Sequence, residues 1–123
     1  MLYGIMNDLE TVLDANPDNK EAAEYAIALL LLSKDFDYIK AFVERYGGKG
    51  CLTQLPERLQ EAIVTYSEHN PDYCRAHGVS EDTIERFSRF RQEVLNLRRS
   101  GATNMTRLAA EYGKTFWYYM VKG

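Results

Sequence analysis

Apolar residues recur along the chain at helical spacing, in blocks separated by turn-forming residues. Leu2, Ile5, Met6, Leu9, Val12 and Leu13 fall three and four apart and predict an opening amphipathic helix. Asn16-Pro17 closes it, because a residue before proline is pushed out of the right-handed helical region. Asp18 or Asn19 can then cap a second helix through a side-chain oxygen. From Ala22 to Leu32 only Glu24 is polar. Ala22, Ala23, Ala26 and Ala28 admit a close neighbour, and Leu29 to Leu32 cover most of the circumference, so this helix should be buried on several sides. Ser33-Lys34-Asp35 interrupts the run, and Phe36, Ile39, Val43 and Tyr46 form the stripe of a third helix. Gly47-Gly48 stops it.

The later half repeats the theme. Pro56 suits a first helical turn, and Leu55, Leu59, Ala62, Ile63 and Tyr66 carry the apolar face up to Asn70-Pro71-Asp72. A short helical turn over 72–77 is closed by Gly78. Ser80 with Glu81-Asp82 starts a helix running to about Arg99, with Ile84, Phe87, Phe90, Val94 and Leu97 on its apolar face. Ser100-Gly101-Ala102 breaks it, and Thr103 or Asn104 can cap a last helix whose stripe is Leu108, Ala109, Tyr112, Phe116 and Tyr119. Gly113 is expected to kink or interrupt that helix. No stretch reads as a strand. The prediction is one all-α domain over residues 1–123, about six helices stacked as antiparallel hairpins, with its clearest hairpin at 16–47 and its C-terminal helices at 80–121.

The hairpin carries a family signature. Its proline-acid turn, its helix rich in small residues, the Asp35-Phe36-Asp37 turn and the second amphipathic helix together resemble a tetratricopeptide repeat, whose period is about 34 residues. Ile27 and Ile39 depart from that pattern, standing where the family usually has a small residue and an alanine. No tryptophan opens the first helix, so the resemblance is to one degenerate repeat, with an ordinary helical hairpin as the alternative. It implies an α-α superhelix and a protein- or peptide-binding role on a concave helical face. In such an array the helix before the Asn16-Pro17-Asp18 turn would end a preceding repeat, so a longer parent chain is expected. The run Asn70 to Ser80 and the aromatic ending Thr115 to Tyr119 are also similar to the soluble C-terminal ends of an uncharacterised bacterial family. Members of that family carry membrane helices upstream, which implies a tethered parent protein and no particular activity.

Charge is unevenly distributed. Residues 1–85 hold 7 basic and 16 acidic side chains, a net −9, whereas residues 86–123 hold 8 and 2, a net +6. Either the two regions complement each other within one fold, or the basic part is a docking surface for an acidic partner. Hydrophobic content of 46% with a mean hydropathy of −0.41 fits a water-exposed globular domain. The longest apolar run, Tyr25 to Leu32, is far short of the roughly 20 residues needed to span a bilayer. The N-terminus lacks the basic and cleavage features of a signal peptide, and two cysteines are too few for a disulfide framework.

Candidate chemistry is sparse. Gly48-Lys49-Gly50 lacks the rest of a phosphate-loop pattern and a preceding strand. Cys51, His69, Cys74 and His77 are the metal-capable residues, but they lack the paired cysteines with which structural zinc sites usually begin. Cys74 with His77 or His69 has no recognisable oxyanion loop beside it. The pairs Glu21/Glu24 and Glu57/Glu61 read as solvated helix faces. Phenylalanines interleave the arginines from Arg86 to Arg107, but they fall on the core stripe and the chain is acidic overall, so nucleic acid is not an expected partner. No catalytic residue, cofactor or metal site is expected. The partner expected is a protein or peptide, with a homodimer left open. The candidate contact residues are Tyr25 and Tyr38 on the hairpin, Arg91 and Arg98 on the basic helix, and Trp117 and Tyr118 at the end, the aromatic and arginine types enriched at binding hot spots. The alternatives are that the terminal aromatics fill a core, and that the domain is a structural cap of a larger, membrane-anchored protein with no ligand of its own.

Overall fold

The caps explain where the helices begin. In the computed structural model, which describes residues 2–68, 70–99 and 106–122, the side-chain oxygen of Asn19 accepts from the Ala22 amide at 3.1 Å and that of Asp35 from Tyr38 at 3.1 Å. Asn70 accepts from both Asp72 and Tyr73, and Ser80 Oγ from Thr83 at 3.2 Å. Each satisfies a first-turn amide that has no partner within its helix. The described residues form eight α-helices: α1 (Leu2–Ala15), α2 (Lys20–Ser33), α3 (Phe36–Tyr46), α4 (Glu57–Tyr66), α5 (Pro71–Ala76), α6 (Glu81–Arg99), α7 (Thr106–Tyr112) and α8 (Phe116–Lys122). A 3₁₀ turn at Gly50–Leu52 lies between α3 and α4, and no strand occurs among the described residues.

The all-α expectation holds, but the count rises from six to eight. The turn over 72–77 is the helix α5, and the last predicted helix is two. Thr115 makes the division: its hydroxyl donates to the Tyr112 carbonyl at 2.6 Å, ending α7, and accepts from the Tyr118 amide at 3.1 Å, opening α8. Gly113 lies in that break, where a Cβ would stand 2.3 Å from the Ala109 carbonyl oxygen. The predicted break at Ser100-Gly101-Ala102 and cap at Thr103 or Asn104 lie outside the described residues.

Helix α4 is the centre of the fold. It packs against α2, α3, α5, α6 and α8, and six consecutive residues, Leu59 to Val64, are buried. Two of them are polar and must be satisfied internally. Gln60 donates to the Leu55 carbonyl at 2.9 Å and accepts from the Ser80 amide at 2.9 Å, fixing the start of α6. The main core gathers Met6, Leu13, Leu30, Ile39, Phe42, Leu59 and Ile63 around this helix. A second cluster, Phe90, Leu108, Tyr112 and Trp117, joins α6, α7 and α8.

On the far side a polar seam holds α1 to α3. Tyr38 donates to Glu10 at 3.0 Å and stacks on Tyr3, Tyr46 donates to Asp14 at 2.8 Å, and Arg45 pairs with Asp14 at 2.6 Å. The Gly48 to Cys51 loop folds back on the first turn. The Cys51 amide donates to the Pro17 carbonyl at 3.2 Å, and Gly50 has φ +52° with so little room that a Cβ would stand 2.3 Å from the Pro17 oxygen. No helix among the described residues is long and apolar enough to cross a membrane.

Candidate functional site, a groove between α6 and α8

The site is built outward from Glu61. This carboxylate is fully buried on α4. One oxygen accepts from the Phe116 amide at 2.8 Å and the other from Arg58 at 2.8 Å, with Arg86 of α6 at 3.9 Å. Its backbone carbonyl accepts from the Trp117 indole N–H at 3.0 Å. Glu57 draws Arg86 in at 2.8 Å, and the Arg86 guanidinium lies over the Trp117 ring. One residue thus pins the start of α8 to α4 and brings α6 alongside. Burial pushes the Glu61 carboxyl above its ordinary range, against the pull of the Phe116 amide and of Arg58 and Arg86. The reading of Glu57/Glu61 as a solvated face is therefore corrected at Glu61. Enclosure of α4 on most sides leaves this polar residue no route to water, whereas Glu57, Glu21 and Glu24 are exposed.

Above this pin lies a groove of about 290 Å³ between α6 and α8. Phe87, Phe90, Val94, Trp117 and Met120 supply its apolar lining, and the exposed Arg91, Leu95 and Arg98 lie along one wall. Positions 91, 95 and 98 share one face of a helix because they are four and seven residues apart. Arg45, Arg58, Arg75 and Arg86 each pair with a carboxylate. Among the described residues, none pairs with Arg91 or Arg98.

Of the six candidate contact residues, the fold brings three to this groove: Arg91, Arg98 and Trp117. Trp117 is only 1% exposed, because its ring is held between Phe87 and Phe90 and its N–H by Glu61. Of the two readings of the terminal aromatics, the core reading describes Trp117: the indole is buried and forms part of the groove's floor. Tyr118 is half-buried and faces a separate depression with Tyr119, Leu31 and Leu32. Tyr38 is half-buried in the α1–α3 seam, and Tyr25 stands 55% exposed on α2, away from the groove. Sequence reasoning missed Leu95 and Met120. Leu95 carried a signal, as an apolar residue one step beyond the Val94 stripe, and it is 40% exposed. Met120 was hidden within a tail aromatic on every side.

The other candidates are placed differently. Cys74 is buried with its sulfur 3.4 Å from Ser67 Oγ, while His77 stacks on Tyr73 and its Nδ1 lies 2.9 Å from the Tyr73 carbonyl oxygen. Cys51 is half-buried, and His69 lies outside the described residues. No group of three or more potential metal ligands occurs among the described residues. In the glycine loop the Gly48 amide donates to Leu52 and the Cys51 amide to Pro17, so both are spent within the fold.

Comparison with known families places this architecture. The model of a family of unknown function, DUF6057, matches residues 3–123. The chain belongs to that family. The match takes in both the Asn16 to Gly47 hairpin and the groove, so the repeat-like stretch is one part of a DUF6057 domain and receives no tetratricopeptide assignment of its own. No curated protein and no solved structure shows significant similarity to this DUF6057 domain.

Proposed function

We propose that this DUF6057 domain is a non-enzymatic module that binds a protein or peptide in the α6–α8 groove. The observation that carries the reading is the pairing of an apolar, open groove with two arginines that have no carboxylate partner among the described residues. Aromatic and arginine side chains around a pocket are the usual composition of a binding hot spot. At about 290 Å³ the groove stands at the lower limit for small-molecule sites, and suits one or two anchoring side chains of a peptide. The tetratricopeptide-like hairpin 16–47 is consistent with a helical scaffold for such binding. The test is a photo-crosslinking amino acid at Leu95, with one at the exposed Glu21 as control. A discrete protein adduct from position 95, absent from position 21 and lost in Arg91→Glu/Arg98→Glu, is the expected result. Identical adducts from both positions, or none, would remove the reading.

A second reading, a structural cap on a larger, membrane-anchored bacterial protein, draws on another surface. Tyr25, Ala28 and Leu32 fall on one face of α2 and are exposed, Leu32 by 66%. A crosslinker at Tyr25 that captures an upstream part of the same polypeptide in the native protein supports the cap; adducts confined to Leu95 argue for the groove.

A further inference from the structure

We infer that the groove selects an amphipathic helix bearing two carboxylates on one face, two helical turns apart, on either side of an apolar anchor. The inference rests on the reading of the groove as a peptide site and names the chemistry of its occupant. Arg91 and Arg98 are seven residues apart on α6, so they project from points about 10 Å apart along the helix axis. Leu95 lies between them on the same wall. An occupant that covers Leu95 and the apolar lining must bring something to both guanidiniums, which would otherwise lose water without compensation. Carboxylates do this with bidentate geometry.

The spacing selects the backbone. A helix that lies alongside α6 repeats the same geometry, so acidic residues seven apart meet both arginines while residues between them face the groove. An extended peptide covers about 10 Å in three residues, and positions three apart on a strand point to opposite faces. Residues two or four apart share a face but stand about 7 or 13 Å apart, so an extended peptide matches the two arginines less well than a helix does. Residues 86–123, which supply both arginines, carry a net +6, the sign that attracts an acidic partner. An anionic membrane also carries negative charge, but the apolar lining is concave and its tryptophan is buried, leaving little to insert.

Trp117 is the single tryptophan and lines the groove, so its emission reports occupancy. The probe is a hydrocarbon-stapled helical peptide without tryptophan or tyrosine, with leucine between two glutamates seven residues apart. Its twins carry glutamine or lysine at the two acidic positions, and phosphatidylglycerol vesicles serve as the anionic surface. We expect a saturable Trp117 change with the glutamate peptide, about ten-fold weaker affinity in Arg91→Glu/Arg98→Glu, and recovery of that variant's binding with the lysine twin. An Arg91→Gln/Arg98→Gln variant, with circular dichroism on both, separates lost charge from lost fold. Equal binding of the glutamine twin overturns the acidic selection and leaves the peptide site standing. No binding by any peptide removes both. A response to vesicles but not to peptide overturns the inference in favour of a lipid surface.

Discussion

At the residue scale Glu61 does the most with one side chain. It is the acceptor for the first amide of α8 and, through its carbonyl, for the Trp117 indole. Removing the carboxyl orphans the Phe116 amide in the interior, so Glu61→Ala should cost about 1–3 kcal/mol in urea denaturation. Glu61→Gln keeps an acceptor and removes the charge, and separates the two roles by pH. Because burial raises the carboxyl pKa above its ordinary value of 4.5, the native state holds this proton more tightly than the unfolded chain does. The contribution to stability is complete below pH 4.5 and is lost as pH rises through the raised value. Glu81 works in the opposite sense, since its hydrogen bond to Arg75 lowers its pKa and its contribution is lost as pH falls. The decisive quantity is therefore the difference between variant and wild type. Over about pH 4 to 8, Glu61→Gln should gain stability relative to wild type as pH rises, and a flat difference would show that Glu61 is not held above its ordinary range.

At the element scale, caps and stripes were legible and packing partners were not. Asn19 and Ser80 announce their helices because a cap needs only a short polar side chain at one position; Asp35 and Asn70, which read as breaks, cap theirs in the same way. Asn70→Ala should accordingly cost about 1 kcal/mol, read from the urea midpoint. The hairpin 16–47 was visible for the same local reasons, yet the fold is centred on α4, whose sequence is less apolar than that of α2. What makes α4 central is its neighbours, and these depend on contacts far along the chain, such as Glu61 with Phe116. Thr115 was missed as a cap because the stripe from Leu108 to Tyr119 runs across it without a phase error. The glycine loop looked like weak chemistry and is structural. Gly50→Ala adds left-handed strain of about 1–2 kcal/mol to a clash with the Pro17 carbonyl and should lower the urea midpoint sharply. Gly4→Ala, in α1 with open space around it, should raise stability by about 1 kcal/mol. The opposite signs test whether glycine in this chain serves local backbone geometry.

At the scale of the whole molecule, charge is divided but not idle. Arg86 spends its charge inside, on Glu57 and Glu61, while Arg91 and Arg98, further along the same helix, face the groove without a carboxylate partner among the described residues. Composition shows the asymmetry; only the fold separates arginines that hold it together from those turned outward. Trp117 lies where the two roles meet, joining the α6–α7–α8 cluster to α4 while lining the groove. If it were a surface anchor, truncation would leave stability unchanged and abolish binding alone. Buried as it is, Trp117→Ala should cost about 3–5 kcal/mol, a large part of the roughly 5–15 kcal/mol that holds a typical domain folded. Trp117→Phe, which keeps most of the ring volume and gives up the bond to the Glu61 carbonyl, should cost clearly less. Urea denaturation of both, followed by far-ultraviolet circular dichroism, reads the difference directly. A Trp117→Ala protein as stable as wild type would mean that α8 is not packed on α4 as described, and the groove would lose its floor and, with it, the basis of the proposed binding site.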